Sequence, residues 1–446
     1  MTHARARRGK RGPPQGEYSA TIDALAHDGR GLAHIDGKAV FIHGALPGER
    51  VSFTYRQRHS QYDEGSVSAI AEASPERVPP RCAHFGVCGG CSLQHLDARR
   101  QIAYKQDWLL DNLARIGKVE PEQVLEPLLG PAWGYRHKAR IGVKYVQKKN
   151  RVLIGFRERD APLVADLRRC EVLHPKIGGL LEELAELIGA LSIRERLPQV
   201  EVAVGDTAAA LSFRVLDPPN AEDEAKLADF GARHDIQIYL QPKGPATTHL
   251  LWPRHAELSY RLPGHGAILR FLPYHFIQIN AAINQNMVLR VLELLDLGID
   301  DHVLDLYCGL GNFTLALAPH AATVVGVEGE REAVEWARRN AAQNGIANAE
   351  FVAADLAGPV VDESWLRRRY AKILLDPPRS GAWEMLPHIA ARQAERVVYV
   401  SCHPATLARD AGELVHRHGY RLARAGVMDM FPHTAHVESI ALFERP

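Results

Sequence analysis

Five short runs of strand-forming residues between positions 302 and 402 each end at or beside an acidic residue or a cysteine. This pattern constrains the fold more than any other feature, and its residues are Asp305, Glu328, Asp355, Asp376 and Cys402. Strands that alternate with helical segments predict a parallel sheet, whose carboxyl ends share one edge. A single such Asp is often only a helix cap, but five together predict a ligand crevice in a doubly wound α/β fold.

The first of these runs continues into a glycine turn, "DLYCGLGNF". Gly309 and Gly311 allow the backbone to approach a ligand closely, but Thr314 stands where a dinucleotide fingerprint has its third glycine. A pyrophosphate is therefore disfavoured, while an acid at the next strand end can accept both hydroxyls of a ribose. An adenosine without pyrophosphate indicates S-adenosylmethionine. The turn alone is a moderate signal, because tight strand-to-helix turns need glycine without a ligand as well.

The last run, "VVYVSCHPATLARD", delivers Cys402 just past a strand end, since Pro404 stops further ladder pairing. Open α/β sheets bind their ligands at this position. The alternative is a buried structural cysteine, because free cysteines are among the most buried residues.

The N-terminal region from 17 to about 73 has short apolar runs separated by Asp28-Gly29, Asp36-Gly37 and Pro47-Gly48. Such turns at close spacing predict a small antiparallel barrel, of a kind that often binds oligonucleotides. The stretch resembles a TRAM domain, an RNA-binding module; a purely structural barrel is the alternative. Residues 1–16 are basic and lack an apolar stretch behind them, which predicts a disordered tail rather than a secretory signal.

Three of the six cysteines, Cys82, Cys88 and Cys91, lie within ten residues of one another. In a reducing compartment such a group favours a metal site over disulfides, and thiolates can hold zinc or an iron–sulfur cluster. No run of about 18 apolar residues occurs, so we expect no membrane span and a cytoplasmic protein.

The formal net charge is +1, but nine Lys or Arg residues stand between positions 136 and 159 against one Glu. Within this stretch the basic residues Arg136, Lys138, Arg140 and Lys144 share one strand parity, opposite to an apolar set. One face of the predicted strand is therefore basic, which suits nucleic acid. A solvated surface strand would look similar.

Together the motifs "FIQIN", "DLYCGLGNF", "DPPRSGA", "VSCHPATLARD" and "FPHTAHVESIALF" resemble the uracil-C5 RNA methyltransferases, and the barrel with four cysteines resembles the branch that acts on 23S ribosomal RNA. The resemblance implies a Rossmann-like class I methyltransferase domain at 266–446, a TRAM barrel at 17–73 and a central iron–sulfur α+β domain at 74–265. Part of 95–125 is expected to pack on the catalytic domain, and we expect a monomer.

The resemblance also implies roles for individual residues. Cys402 would be the nucleophile that adds to uracil carbon 6, and Glu438 would be the base that removes the hydrogen from carbon 5. The implied contacts to S-adenosylmethionine are Gln278, Tyr307, Asn312, Glu328, Asp355 and Asp376, and the implied 4Fe-4S ligands are Cys82, Cys88, Cys91 and Cys170.

Two residues depart from the family pattern: Tyr307 stands where Phe is frequent, and His403 stands where Asn commonly follows the nucleophile. We assign His403 no catalytic role. The alternatives to this interpretation are the same reaction on another ribosomal or transfer RNA, and a non-catalytic iron–sulfur RNA-binding protein.

Overall fold

The structure is a computed structural model that describes residues 15–358 and 363–445. Most of the predicted basic tail, 1–14, lies outside the described residues. Contacts divide the chain into two compact units. The first contains the described residues through Gly86 together with Cys91–Tyr104 and His433–Ala435, and the second contains the remainder.

The first unit is built on one six-stranded sheet in the order β1-β5-β6-β4-β3-β2. Its strands are β1 Tyr18–Thr21, β2 Ala24–Leu25, β3 Gly31–Ile35, β4 Lys38–His43, β5 Arg50–Arg58 and β6 Tyr62–Glu72. Asp36 and Gly37 form the tight turn between β3 and β4, both with positive φ, as the Asp-Gly pair predicts. The pairing is antiparallel except between β4 and β6, which run parallel. The core is apolar and includes Val40, Ile42 and Phe53.

Helix α1, Ala98–Asn112, continues as a π-helical turn over Leu113–Gly117. This agrees with the helical pattern of the sequence from about 97 to 116. Strand β7, Gln123–Val124, follows and pairs with the edge of the large sheet described below.

The second unit contains a six-stranded sheet in the order β13-β12-β11-β10-β8-β9. The elements of this part are β8 Lys138–Val146, β9 Arg151–Gly155, α2 Pro175–Gly178, α3 Leu181–Gly189, β10 Gln199–Val204, β11 Ala209–Arg214, α4 Ala221–His234, β12 Ile236–Gln241 and β13 His249–Trp252. We call it the central sheet. Helices α3 and α4 cover one of its faces.

A two-stranded ribbon, β14 Leu258–Arg261 and β15 Ile268–Phe271, leads into the eight-stranded sheet, whose order is β18-β17-β16-β19-β20-β22-β21-β7. The remaining elements are α5 Ala281–Leu295, β16 His302–Leu306, α6 Thr314–Leu317, β17 Thr323–Glu328, α7 Arg331–Gln343, β18 Ala349–Ala353, β19 Lys372–Leu375, α8 Leu386–Arg392, β20 Arg396–Ser401, α9 Pro404–His416, β21 Arg421–Met428 and β22 Glu438–Glu444.

Strands β16 to β20 are parallel, and β22 pairs with β20 in the antiparallel direction. From β16 the chain first adds β17 and β18 on one side and then β19 and β20 on the other. The strand order therefore reverses between β16 and β19, and ligands of open α/β sheets bind outside the carboxyl ends at such a point. The doubly wound fold predicted from the sequence is confirmed.

Candidate active site

The glycine turn after β16 lies against the end of β17. Tyr307, Gly309 and Gly311 all have positive φ, so the chain curls back sharply instead of continuing the strand. The amide of Gly309 donates to the Glu328 carboxylate at 3.1 Å, and the amide of Tyr307 donates to the carbonyl of Val327 at 2.8 Å. The predicted approach of these two strand ends is therefore present.

Asp355 lies at the next strand end along this edge. The amide of Ala354 donates to the carbonyl of Glu328 at 3.0 Å, which holds the exposed Asp355 beside the end of β17. One oxygen of Asp355 accepts from the amide of Ala357 at 3.0 Å. The two acids thus line the half of the edge that lies on one side of the reversal point.

Asp376 and Gln278 meet on the other side of the reversal point. The Gln278 amide lies 3.5 Å from Asp376 Oδ2, and the backbone amide of Asp376 donates to the carbonyl of Leu306. Burial raises the pKa of Asp376 to about 7. Gln278 stands just before α5, and it also lines a narrow crevice with His137, Asp206, Tyr260 and Asn284.

Cys402 and Glu438 lie at the same end of the antiparallel pair β20 and β22. Ser401 pairs with Ser439, and the Ser439 hydroxyl donates to the carbonyl of Ser401 at 3.0 Å. Cys402 and Glu438 are the next residues of the two strands, beyond that pair. His403 caps α9 through its ring nitrogen, which accepts from the amide of Thr406, so its part in this turn is structural.

The electrostatics of this group favour protonated side chains. Burial raises the pKa of the Glu438 carboxyl well above its usual range, and the charge of Asp376 adds to the effect. Burial also raises the pKa of the Cys402 thiol, followed by the charges of Glu438 and Asp376, while Arg379 acts in the opposite direction. Perturbed acids beside a thiol at a strand edge are typical of a site that moves protons.

Asn312, another predicted cofactor contact, has its side chain held by hydrogen bonds to two other side chains. It exchanges two hydrogen bonds with Asn284, at 2.9 and 3.0 Å, and accepts one from the Tyr260 hydroxyl at 2.8 Å. These bonds tie the glycine turn to α5. Tyr307 is half-buried, and burial raises the pKa of its hydroxyl.

One exposed aromatic side chain at this edge was not singled out from the sequence. Phe276 precedes Gln278 by two residues and is 74% exposed. An aromatic ring in solvent can stack on an unpaired base. The motif "FIQIN" contains it, but exposure cannot be read from an apolar residue type.

None of the four cysteines of the predicted cluster forms a disulfide. Cys82 and Cys91 belong to the first unit, and Cys88 and Cys170 belong to the second. The amide of Gly90 donates to Cys88 Sγ at 3.4 Å, and the amide of Cys82 donates to Gln94 at 3.0 Å. Across residues 15–358 and 363–445, no group of three or more His, Cys, Asp or Glu side chains is arranged to hold a metal ion.

No helix within the described part of the chain has both the length and the apolar character needed to cross a membrane.

Comparison with known proteins identifies both parts of the chain. Residues 130–446 match the tRNA (uracil-5-)-methyltransferase family, and residues 16–54 match the TRAM domain. Relatives include a 23S rRNA (uracil(1939)-C(5))-methyltransferase, RlmD, of Methylococcus capsulatus, 55% identical over 98% of this chain and 99% of the relative. The RlmD of Alkalilimnicola ehrlichii is 52% identical over the same shares.

Among solved structures, the tRNA (uracil-54, C5)-methyltransferase of Pyrococcus abyssi in complex with S-adenosyl-L-homocysteine is similar to this chain. Its TM-score is 0.73 at 25% sequence identity, over 96% of this chain and all of that one. The TRAM domain and the S-adenosylmethionine-dependent methyltransferase fold expected from the sequence are confirmed.

Proposed function

The chain belongs to the tRNA (uracil-5-)-methyltransferase family, and from this membership we propose that it methylates carbon 5 of a uridine in 23S ribosomal RNA. Relatives that are 55% and 52% identical over almost the whole chain carry that activity in their names, which supports 23S RNA over transfer RNA. The observation that carries the proposal is the position of Cys402 and Glu438 directly beyond the paired residues Ser401 and Ser439, where the charges of Glu438 and Asp376 act on the thiol.

Cys402 supplies the nucleophile in this mechanism. Carbon 5 of uracil is too weak a nucleophile to attack a sulfonium-bound methyl group. Addition of the Cys402 thiolate to carbon 6 forms an S–C bond and moves electron density to carbon 5, which becomes reactive. Bound S-adenosylmethionine supplies the electrophilic methyl group.

Glu438 supplies the base for the second half of the reaction. After carbon 5 has gained the methyl group, its hydrogen leaves as a proton to the Glu438 carboxylate, and the S–C bond at carbon 6 breaks to restore the double bond. The raised pKa of this carboxyl supports the role, because its ionised form binds a proton more tightly than an exposed carboxylate does. Because the raised pKa favours the protonated carboxyl, Glu438 must lose its proton before it can act as the base.

Glu328, Asp355, Gln278, Asp376 and Tyr307 are proposed as the cofactor contacts. Glu328 and Asp355 stand at adjacent strand ends where ribose hydroxyls bind in this fold class. Asn312, whose side chain is held by Asn284 and Tyr260, is proposed to act through the shape of the glycine turn.

RNA contacts are proposed on the barrel and on the face of the central sheet opposite α3 and α4. Arg140, whose side chain is 71% exposed, lines a groove of about 330 Å³ on that face together with Arg214, Gln199 and Gln241. Arg140 pairs with the buried Glu201 at 2.8 Å. Within the described chain the Arg214 guanidinium has no acidic partner, so its charge is available to a phosphate.

The test of this function compares two RNAs in one assay. Protein with labelled S-adenosylmethionine is expected to methylate 23S RNA and to leave transfer RNA unlabelled, with 5-methyluridine as the product. Label in transfer RNA alone, or another modified base, would contradict the proposal. A matching test in cells is the loss of one 5-methyluridine from 23S RNA when the gene is removed.

A 4Fe-4S cluster on Cys82, Cys88, Cys91 and Cys170 is a separate proposal, supported by the close spacing of the first three in the sequence and by the lack of a disulfide at any of the four. No step of the mechanism passes through it. We expect iron and sulfide in protein prepared without oxygen; stoichiometric zinc without visible absorption would contradict the cluster.

Three further expectations stay predictions: the four-part domain division, a monomeric state and a cytoplasmic location.

A further inference from the structure

Asp410 is a buried carboxylate close to the active site that the mechanism above does not use. It lies on α9, which begins two residues after Cys402, and its exposed fraction is 0%. Its Oδ2 atom accepts from the Tyr399 hydroxyl at 2.7 Å and from the backbone amide of Ala382 at 2.8 Å. Its Oδ1 atom accepts from Arg409 Nε at 2.8 Å. A buried charge with three donors needs all of them to offset its desolvation.

The Ala382 amide lies at the end of a loop that begins at the active-site residue Asp376. This loop, residues 376–382, follows β19 and carries Asp376 and Arg379. Arg409 also holds it, since its Nη2 atom donates to the carbonyl of Ser380 at 2.9 Å. Both ends of the loop are thus fixed: the first by β19 and the last by α9.

Gly381 allows this close fit. Its φ is +83°, and a Cβ atom at this position would lie only 2.6 Å from Asp410 Oδ2. A side chain would therefore push the loop away from α9. The loop and the carboxylate are matched to one another in shape as well as in hydrogen bonding.

The partners of Asp410 also flank Cys402 in the chain. Tyr399 lies on β20, three residues before the thiol, and α9 begins two residues after the thiol. Asp410 thus bonds to the strand that enters the Cys402 turn, belongs to the helix that leaves it, and holds the loop that carries Asp376 and Arg379. The charges of those two residues act on the thiol in opposite directions.

We propose that Asp410 is a positioning residue for methyl transfer, which holds the 376–382 loop at a fixed separation from Cys402. The proposal rests on the proposed function, because it assigns Asp410 an effect on that reaction. An amide in its place has one acceptor oxygen instead of two, so it cannot accept from Arg409 at one end and from the Tyr399 hydroxyl and the Ala382 amide at the other. The loop then moves, and Asp376 and Arg379 no longer stand where the reaction needs them.

The test uses Asp410→Asn with Asp223→Asn as a matched control. Asp223 is also buried and also fastens a loop, since it accepts from the amide and hydroxyl of Ser192 at 2.8 and 2.5 Å, but it caps α4 in the central sheet region. Both variants are expected to lower the melting temperature. Only Asp410→Asn is expected to lower kcat, by roughly 10- to 100-fold for a misplaced reactive group, with little change in KM for S-adenosylmethionine.

A second readout separates positioning from loss of structure. The pH dependence of Cys402 alkylation is expected to shift in Asp410→Asn and to stay as in the wild type in Asp223→Asn, because the charges near the thiol move only in the first. An unchanged kcat or unchanged alkylation profile in a folded Asp410→Asn protein would overturn the proposal. If that variant does not fold, Tyr399→Phe, which removes one of the three donors, is expected to show the same shifts more weakly, and normal behaviour would overturn it.

The outcome distinguishes this inference from the proposed function. If the wild type does not methylate 23S RNA, the proposed function fails, whereas the alkylation profiles still report on the loop. If the wild type is active and the Asp410 and Asp223 variants retain the same kcat, only the inference fails.

Discussion

The surroundings of the active-site thiol and acids raise their pKa values, and these shifts govern how the site responds to pH. Burial raises the pKa of Cys402, Glu438 and Asp376, and the three groups also repel one another's charges. A thiolate is the reactive form of cysteine, so the raised pKa favours the unreactive thiol form of Cys402. Arg379 is the neighbour whose charge favours the thiolate.

The effect of removing Arg379 on the pKa of Cys402 therefore has a definite direction. In Arg379→Ala the pKa of Cys402 is expected to rise, so the alkylation rate at any pH below that pKa falls and the profile moves to higher pH. The measurement is iodoacetamide labelling followed by mass spectrometry of the peptide that contains Cys402. Arg339→Ala on α7 is the matched control and is expected to leave the profile unchanged. A profile that moves to lower pH in Arg379→Ala would contradict this electrostatic account.

The carboxyl ends of the strands position the reactive side chains. These positions were predictable from the sequence, because a strand-forming run and the residue at its end are adjacent in the chain. Glu328, Asp376 and Cys402 all lie at the expected edge. The stretch from about 177 to 262 mixes helical and strand patterns without a recognisable motif. The burial of β10 and β12 on both faces is not visible in their sequences, where Gln199, Glu201 and Gln237 alternate with apolar residues. The partners of Asn312 come from α5 and β14, which no local pattern reveals.

The groove of the central sheet carries its own prediction. Arg214→Ala is expected to weaken binding of 23S RNA fragments and to reduce the slope of log affinity against log salt by about one, as expected for the loss of one phosphate contact. Arg233→Ala, on α4 at the opposite face, removes the same charge and is expected to leave RNA affinity unchanged. Filter binding at several salt concentrations measures both. Equal losses of RNA affinity in the two variants would indicate a general charge effect and contradict a role of the groove in RNA binding.

At the scale of the whole molecule, the barrel is more firmly tied to later residues than its sequence boundary at 73 suggests. The buried Glu49 pairs with Arg77, whose Nη2 atom donates to a second carboxylate oxygen at 2.8 Å. A Cβ atom on Gly29 would lie 2.9 Å from Leu93. The barrel thus shares its unit with residues that follow the proline-rich stretch, a connection between distant residues that turn motifs alone do not encode.

Deletion of residues 1–73 tests the division of labour between barrel and methyltransferase fold. The truncated protein is expected to bind RNA more weakly, with a shallower salt dependence because phosphate contacts are lost, and to bind S-adenosylmethionine as the full chain does. Calorimetry with the cofactor and RNA binding at low and high salt are the measurements. Equal RNA affinity in both proteins, or loss of cofactor binding on truncation, would contradict this division.

The central claim is that Cys402 bonds covalently to carbon 6 of the target uracil and that Glu438 removes the proton from carbon 5. A denaturing gel of labelled RNA tests it directly, because a covalent adduct survives as a slowly migrating band. With 5-fluorouridine at the target, the wild type is expected to give this band only when S-adenosylmethionine is present, since fluorine cannot leave as a cation. Cys402→Ala is expected to give no band, and Glu438→Gln is expected to accumulate it on ordinary RNA. A band from Cys402→Ala, or normal turnover by Glu438→Gln, would contradict the assignment of nucleophile and base.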